Sequence, residues 1–81
     1  MQVRVRLGAG LSRLSSAPLL TVELADGTTV EDLFASLAST QPDLGPALRS
    51  ALPVVGGEHV LAGRALRHGE EVALLLPVSG G

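Results

Sequence analysis

Glu71-Val72-Ala73-Leu74-Leu75-Leu76 runs straight into Pro77-Val78-Ser79-Gly80-Gly81. After Glu71 the first stretch is wholly apolar. A strand that is apolar on both faces belongs in the middle of its sheet, often parallel to a neighbour. The five residues that follow cannot prolong it. Proline has no N–H for the ladder, and the glycines have no side chain to pack. A central strand over 71–76 is expected, with residues 77–81 leaving it as a flexible tail.

A central strand needs partners, and the start of the chain supplies one. Val3, Val5 and Leu7 alternate with Gln2, Arg4 and Arg6, the period of a half-buried strand. Gly8 and Gly10 break it. Residues 11–18 read as a loop with room for one helical turn carrying Leu11 and Leu14, closed by Pro18. Leu20, Val22 and Leu24 then alternate with Thr21 and Glu23, and Asp26-Gly27 ends the run as a turn pair. These two strands are expected to pair antiparallel, with Glu23 and Thr21 across from Arg4 or Arg6 on the wet face.

The clearest helix begins next. Thr29 suits the N-cap and Asp32 stands three residues on, in capping-box spacing. Glu31 and Asp32 put negative charge in the first turn, where the helix dipole favours it. Val30, Leu33, Phe34, Leu37 and Ala38 recur on one stripe. Gln41-Pro42 ends the helix, because the residue before proline avoids helical angles. Residues 43–52 stay open, with Ala47, Leu48 and Leu52 suggesting a short second helix. Val54 and Val55 form a short strand stopping at Gly56-Gly57, with His59, Val60 and Leu61 as its candidate return arm. Residues 64–69 connect to the last strand through one buried leucine, Leu66. The order describes an α+β architecture, a β-grasp roll in which one main helix crosses a mixed sheet. Residues 1–76 form the domain and residues 77–81 the tail.

Composition narrows the function classes. Eighty-one residues suit one small domain. Phe34 is the only aromatic, so the stacking platforms of single-strand nucleic-acid binders are missing. The net charge is -2, with no basic stripe for phosphates. All six basic residues are arginines, so neither a lysine Schiff base nor a phosphate-loop lysine is available. There is no cysteine, which excludes disulfides, thiolate metal sites and a cysteine nucleophile. No signal peptide or membrane-length apolar run is visible. A soluble cytoplasmic domain is expected, with no nucleic-acid or membrane partner.

Few side chains invite catalysis. His59 and His68 lack the companions of a triad or a zinc motif and read as surface or turn residues. Glu70-Glu71 reads as a solvated turn, and Gly56-Gly57 as a turn between short strands. No catalytic residue and no metal site is expected. The tail is the remaining candidate. Pro77 stiffens its exit, and Val78, Ser79 and Gly80 are small enough to thread a narrow channel in extended form. Glycine lets a partner's backbone approach the terminal carbonyl of Gly81 closely. A carboxylate is a poor electrophile. Adenylation by ATP turns it into a mixed anhydride, from which a sulfur donor displaces AMP to leave a thiocarboxylate. Such a carrier needs no catalytic side chain, only an unbranched, reachable end.

The chain resembles the ubiquitin-like sulfur carriers, and among them the small, sulfur-carrying subunits of molybdopterin synthase. The likeness runs from Met1 to Gly81. It rests on Asp26-Gly27-Thr28-Thr29-Val30-Glu31-Asp32-Leu33 and, more specifically, on the turn Gly69-Glu70-Glu71-Val72 leading to Pro77-Val78-Ser79-Gly80-Gly81. The resemblance implies that an E1-like adenylyltransferase activates Gly81 with ATP and that a sulfur donor enzyme supplies the sulfur. It implies that Pro77, Val78, Ser79 and Gly80 insert into the large subunit of the synthase. There the thiocarboxylate would pass sulfur to cyclic pyranopterin monophosphate, within a heterotetramer whose catalytic side chains lie on the large subunit. The chain itself would be a non-catalytic carrier with no bound cofactor. Carriers for thiamin, cysteine or tRNA thiolation share the fold and the Gly-Gly end, as do ubiquitin-like protein modifiers. Both remain as alternatives.

Overall fold

The computed structural model describes residues 1–15 and 17–77. Strand β1 (Gln2–Leu7) buries Val3, Val5 and Leu7 and exposes the residues between them. It pairs antiparallel with β2 (Leu19–Glu23), Val3 opposite Val22 and Val5 opposite Leu20. Helix α1 (Val30–Thr40) follows, then a 3-10 turn (Pro42–Leu44), the short α2 (Gly45–Leu48), β3 (Leu52–Val55), β4 (Glu58–His59) and β5 (Glu71–Leu75). The five strands form one mixed sheet in the order β2-β1-β5-β3-β4. Strand β5 is parallel to β1 and antiparallel to β3, so the last strand lies in the middle of the sheet. This is the β-grasp roll expected from the order of elements.

Helix α1 starts where its cap dictates. The Asp32 N–H donates to Thr29 Oγ1 and the Thr29 N–H donates to Asp32 Oδ2, both at 3.2 Å. The connection ahead of β5 satisfies two more free amides of the first turn. Val30 donates to the Arg64 carbonyl at 3.0 Å and Glu31 to the Ala62 carbonyl at 2.9 Å. The far end stops at Thr40, with Gln41 as C-cap. Val30, Leu33 and Leu37 point into a core shared with Val3, Val5, Val72 and Leu74. That core is aliphatic, since Phe34 is only half-buried at its rim. Among the described residues, no helix is long and apolar enough to cross a membrane.

Several expectations are corrected. Ala38 is exposed, because one residue turns a helix by about 100°, which carries it off the stripe of Leu37. The short second helix suggested within 43–52 is present as α2 with Ala47 and Leu48, but Leu52 is not part of it. Leu44 is fully buried from the 3-10 turn, α2 is a single turn, and Leu52 opens β3. Glu23 does not face an arginine. It lies opposite Gln2, whose Nε2 donates to its carboxylate at 2.8 Å, while Thr21 does face Arg4. Strand β5 is covered on one face only. Val72 and Leu74 are buried, whereas Ala73 is half-buried and Leu75 is 43% exposed. Among the described residues the helices lie on the other side of the sheet, so the second face of β5, with Ala73 and Leu75, stays open.

Candidate functional site

Strand β5 brings the chain to its exit between β1 and β3. Leu76 follows the strand, half-buried against the core, and Pro77 is exposed. Of the predicted site residues, Pro77 is placed at this exit. Val78, Ser79, Gly80 and Gly81 lie outside the described residues, and with them most of the expected tail over 77–81.

The surface beside the exit is the open face of the sheet. Leu52 lies opposite Leu75, and Val54 opposite Ala73. Arg6 lies beside Ala73 on one side and Leu19 on the other. Leu19 and Leu52 are each 39% exposed. The alternation of β2, β3 and β5 thus puts Leu19, Leu52, Val54, Ala73 and Leu75 on one face, with Leu19 set apart from the rest by Arg6 of β1. Leu52, Val54, Ala73 and Leu75 are neighbours there, and adjoining exposed apolar residues of this kind mark interaction sites on small proteins. Leu52 and Leu19 went unseen in the sequence as members of this face. Their pairing partners are 23 and 13 positions away, too far for periodicity to reveal.

Two ion pairs frame the start of β5. Arg6 Nε donates to Glu71 Oε2 at 3.0 Å across the parallel β1–β5 junction. This hydrogen bond, with the charge of Arg6 and then Arg4, holds the Glu71 carboxyl below its ordinary range despite partial desolvation. Arg64 grips Glu70 from the other side, and the Arg67 N–H adds a bond at 2.7 Å. The Arg64 hydrogen bond is the main reason that the Glu70 carboxyl also sits low. Glu70-Glu71 is therefore not the solvated turn expected; both carboxylates are paired. His59 is exposed on β4. His68 Nδ1 accepts the Gln2 N–H at 3.0 Å, capping the first strand.

Away from the exit, a groove of about 330 Å³ lies between β2 and α1, lined by Leu20, Val22, Leu37, Thr40 and Gln41 among others. No group of three or more His, Cys, Asp or Glu side chains converges on a metal site among the described residues. The described site thus offers no nucleophile, acid–base pair or ligand set. It offers a strand exit at Pro77, at the centre of the sheet and beside exposed apolar side chains.

Comparison with known proteins adds chemistry to this geometry. The model of the ThiS family matches residues 8–81. The molybdopterin synthase sulfur carrier subunit of Chlamydomonas reinhardtii is 32% identical over 83 aligned positions that span the whole of both chains. The crystal structure of SAMP1 from Haloferax volcanii superposes with a TM-score of 0.89 at 26% identity, again over the whole of both chains. A protein–protein complex of subunits 1 and 2 of the molybdopterin-converting factor from Helicobacter pylori contains a chain of the same fold. Its TM-score is 0.74 at 22% identity, with full coverage of both chains.

Proposed function

The chain belongs to the ThiS family, and from that premise we propose that it is the sulfur-carrier subunit of a molybdopterin synthase, working through the carboxylate of Gly81. The observation that carries this reading is the end-to-end likeness to the algal sulfur carrier subunit. The geometry agrees with it, since the central strand β5 hands the chain to Pro77 at the border of an open apolar face.

In this reading an E1-like adenylyltransferase joins the Gly81 carboxylate to the α-phosphate of ATP, and pyrophosphate leaves. Sulfide-level sulfur released by a donor enzyme then attacks the acyl carbon, AMP departs, and a thiocarboxylate remains. The tail, Pro77 to Gly81, enters the large subunit and delivers sulfur to cyclic pyranopterin monophosphate. The open sheet face with Leu52 and Leu75 docks the carrier there. The chain contributes position and an acyl group; the large subunit contributes the catalytic side chains. We place this work in the cytoplasm.

A second reading is favoured by the likeness to SAMP1 of Haloferax volcanii, whose full name is small archaeal modifier protein 1. There the activated Gly81 would acylate amines of other proteins. One experiment separates the two. The purified chain is incubated with ATP, an adenylating enzyme and a sulfur source, then weighed by mass spectrometry. A gain equal to one oxygen exchanged for one sulfur supports the carrier. Adducts on other proteins without that gain support the modifier, and an unchanged mass overturns both.

A further inference from the structure

Strands β1 and β5 run parallel, so both chains leave the sheet at the same end and must share the space beyond it. Leu7 lies beside Leu74 in register. Past that point the chains part at Gly8. Its N–H donates to the Leu74 carbonyl at 2.9 Å, adding a last rung to the ladder. Its own carbonyl accepts the N–H groups of Leu11 and Ser12, both at 3.1 Å, which turns the first chain aside. A Cβ on Gly8 would stand 3.0 Å from Leu75 Cδ2 and 3.1 Å from the Leu74 carbonyl oxygen. The leucine tip can swing away, but the carbonyl cannot move without stretching the rung.

Gly10 sits two residues further along the turn, with φ +91°. A Cβ there would stand 3.0 Å from Leu76 Cδ1. Leu11 comes next and is fully buried, so the turn is pinned to the core. Leu76 packs between that turn and the core cluster, and Pro77 beyond it is exposed. In the sequence the two glycines looked like strand breakers and nothing more.

We propose that Gly8 and Gly10 are positioning residues for the carrier tail. They leave room for Leu75 and Leu76 to seat beneath the turn, and the seat fixes the point and direction from which residues 77–81 set out. This rests on the carrier reading. Five residues from a fixed seat span at most about 17 Å, so the start of the tail decides how far the Gly81 carboxylate reaches into a partner. Neither glycine touches the reacting atoms; both act through Leu75 and Leu76.

The test uses the full chain carrying a terminal thiocarboxylate, made by sulfide cleavage of an intein fusion, so that no activating enzyme is needed. Gly10→Asn adds the Cβ while tolerating the left-handed backbone; Gly8→Ala adds it at the other contact. The first readout is the heteronuclear NOE of the Leu76 amide. The second is single-turnover sulfur transfer to cyclic pyranopterin monophosphate on the synthase large subunit. In the unaltered chain the Leu76 amide is expected to be as rigid as that of Leu74, and in Gly10→Asn it loosens. The maximal transfer rate is expected to fall about tenfold or more in both variants, because small misplacements of a reacting group are costly. In Gly10→Asn the half-saturating carrier concentration stays within about threefold, since its contact, Leu76, lies outside the docking face. Partial unfolding would instead lower the amplitude and leave the rate of the folded fraction unchanged. Wild-type transfer rates in both variants, or a mobile Leu76 in the unaltered chain, overturn the proposal. If both variants unfold, Leu76→Ala decides: it empties the seat without crowding the turn, and an undiminished rate overturns the proposal. Should the unaltered chain transfer no sulfur, the carrier reading fails, and the Leu76 NOE alone then decides whether the seat exists.

Discussion

Arg64 and Glu70 meet in a two-point ion pair, Nη2 to Oε2 at 2.8 Å and Nη1 to Oε1 at 3.0 Å. They stand six positions apart, and the connection between them leads into β5. The Glu70 backbone carbonyl accepts the Arg4 N–H at 2.9 Å, which ties the same turn to β1. Glu70 therefore locks the entry of the central strand through both its side chain and its main chain.

This arrangement sets an acid limit on stability. The Arg64 hydrogen bond, seconded by the Arg67 N–H, lowers the Glu70 carboxyl in the folded state, and Arg6 does the same for Glu71. The unfolded chain therefore binds these protons more tightly than the folded one. Their stabilisation is fully present above the ordinary carboxylate value, near pH ~4.3, and is lost as pH falls through the lowered folded values. Urea melts at pH 7 and pH 3 are expected to show the loss. Glu70→Gln should cost about 1 kcal/mol at pH 7, discounted because the Arg64 side chain is one-third exposed, and should flatten part of the acid slope. An unchanged slope would show that other groups carry it.

Leu37→Ala is expected to cost about 2–5 kcal/mol, because its side chain is fully enclosed in an aliphatic core that cannot easily collapse around a cavity. Phe34→Ala should cost less despite the larger residue, since Phe34 stands half-exposed at the rim. Denaturant melts of the two variants give the order directly. The reverse order would mean that the helix is rotated about its axis.

Thr29→Ala removes the hydroxyl that accepts the Asp32 N–H and leaves only the reciprocal bond from the backbone N–H of residue 29 to the Asp32 carboxylate. The expected loss is about 1 kcal/mol. Thr29→Asp should recover most of it, because aspartate also caps. Thermal melts and helical circular dichroism check both.

What could be read in advance was local. The alternation in β1, the cap at Thr29 and the stop at Pro42 all lie within a few residues of the feature that they cause. Contacts over long separations stayed hidden. Glu71 pairs with Arg6 across 65 positions, and Gly8 meets Leu75. Nothing near Glu71 distinguishes a paired carboxylate from a solvated one. Leu44 shows a second kind of miss: a 3-10 turn opened by Pro42 has no apolar period to detect, yet it buries that side chain completely. The uncovered face of β5 is a third. The apolar run is the same whether one layer or two will cover it. For the candidate site, residue types singled out residues 77–81 as the expected tail, while the apolar face beside Pro77 needed the register of the sheet.

That face should matter for docking and little for folding. Leu52→Glu places a charge where the side chain is already 39% exposed, so stability should change by about 0.5 kcal/mol or less. Binding to the large subunit should weaken at least tenfold, as expected when a charge enters the apolar centre of an interface. Isothermal titration against the purified large subunit checks this. Undiminished affinity with an unchanged melt would move the docking surface elsewhere.

Deleting Gly81, or adding one residue after it, tests the working group against the body that carries it. Every core side chain described precedes Pro77, the last being Leu74 with Leu76 packed beside it. The melting temperature should therefore hold within about 1 °C, since chain termini tolerate change. Sulfur loading should vanish. Without Gly81 the terminal carboxyl belongs to Gly80 and falls one residue, about 3.4 Å, short of the activating centre. With an added residue, the Gly81 carbonyl is locked in an amide that ATP cannot adenylate. Mass spectrometry after the loading reaction reads both variants. A sulfur-for-oxygen exchange in the extended chain would mean that the carried sulfur is not on Gly81.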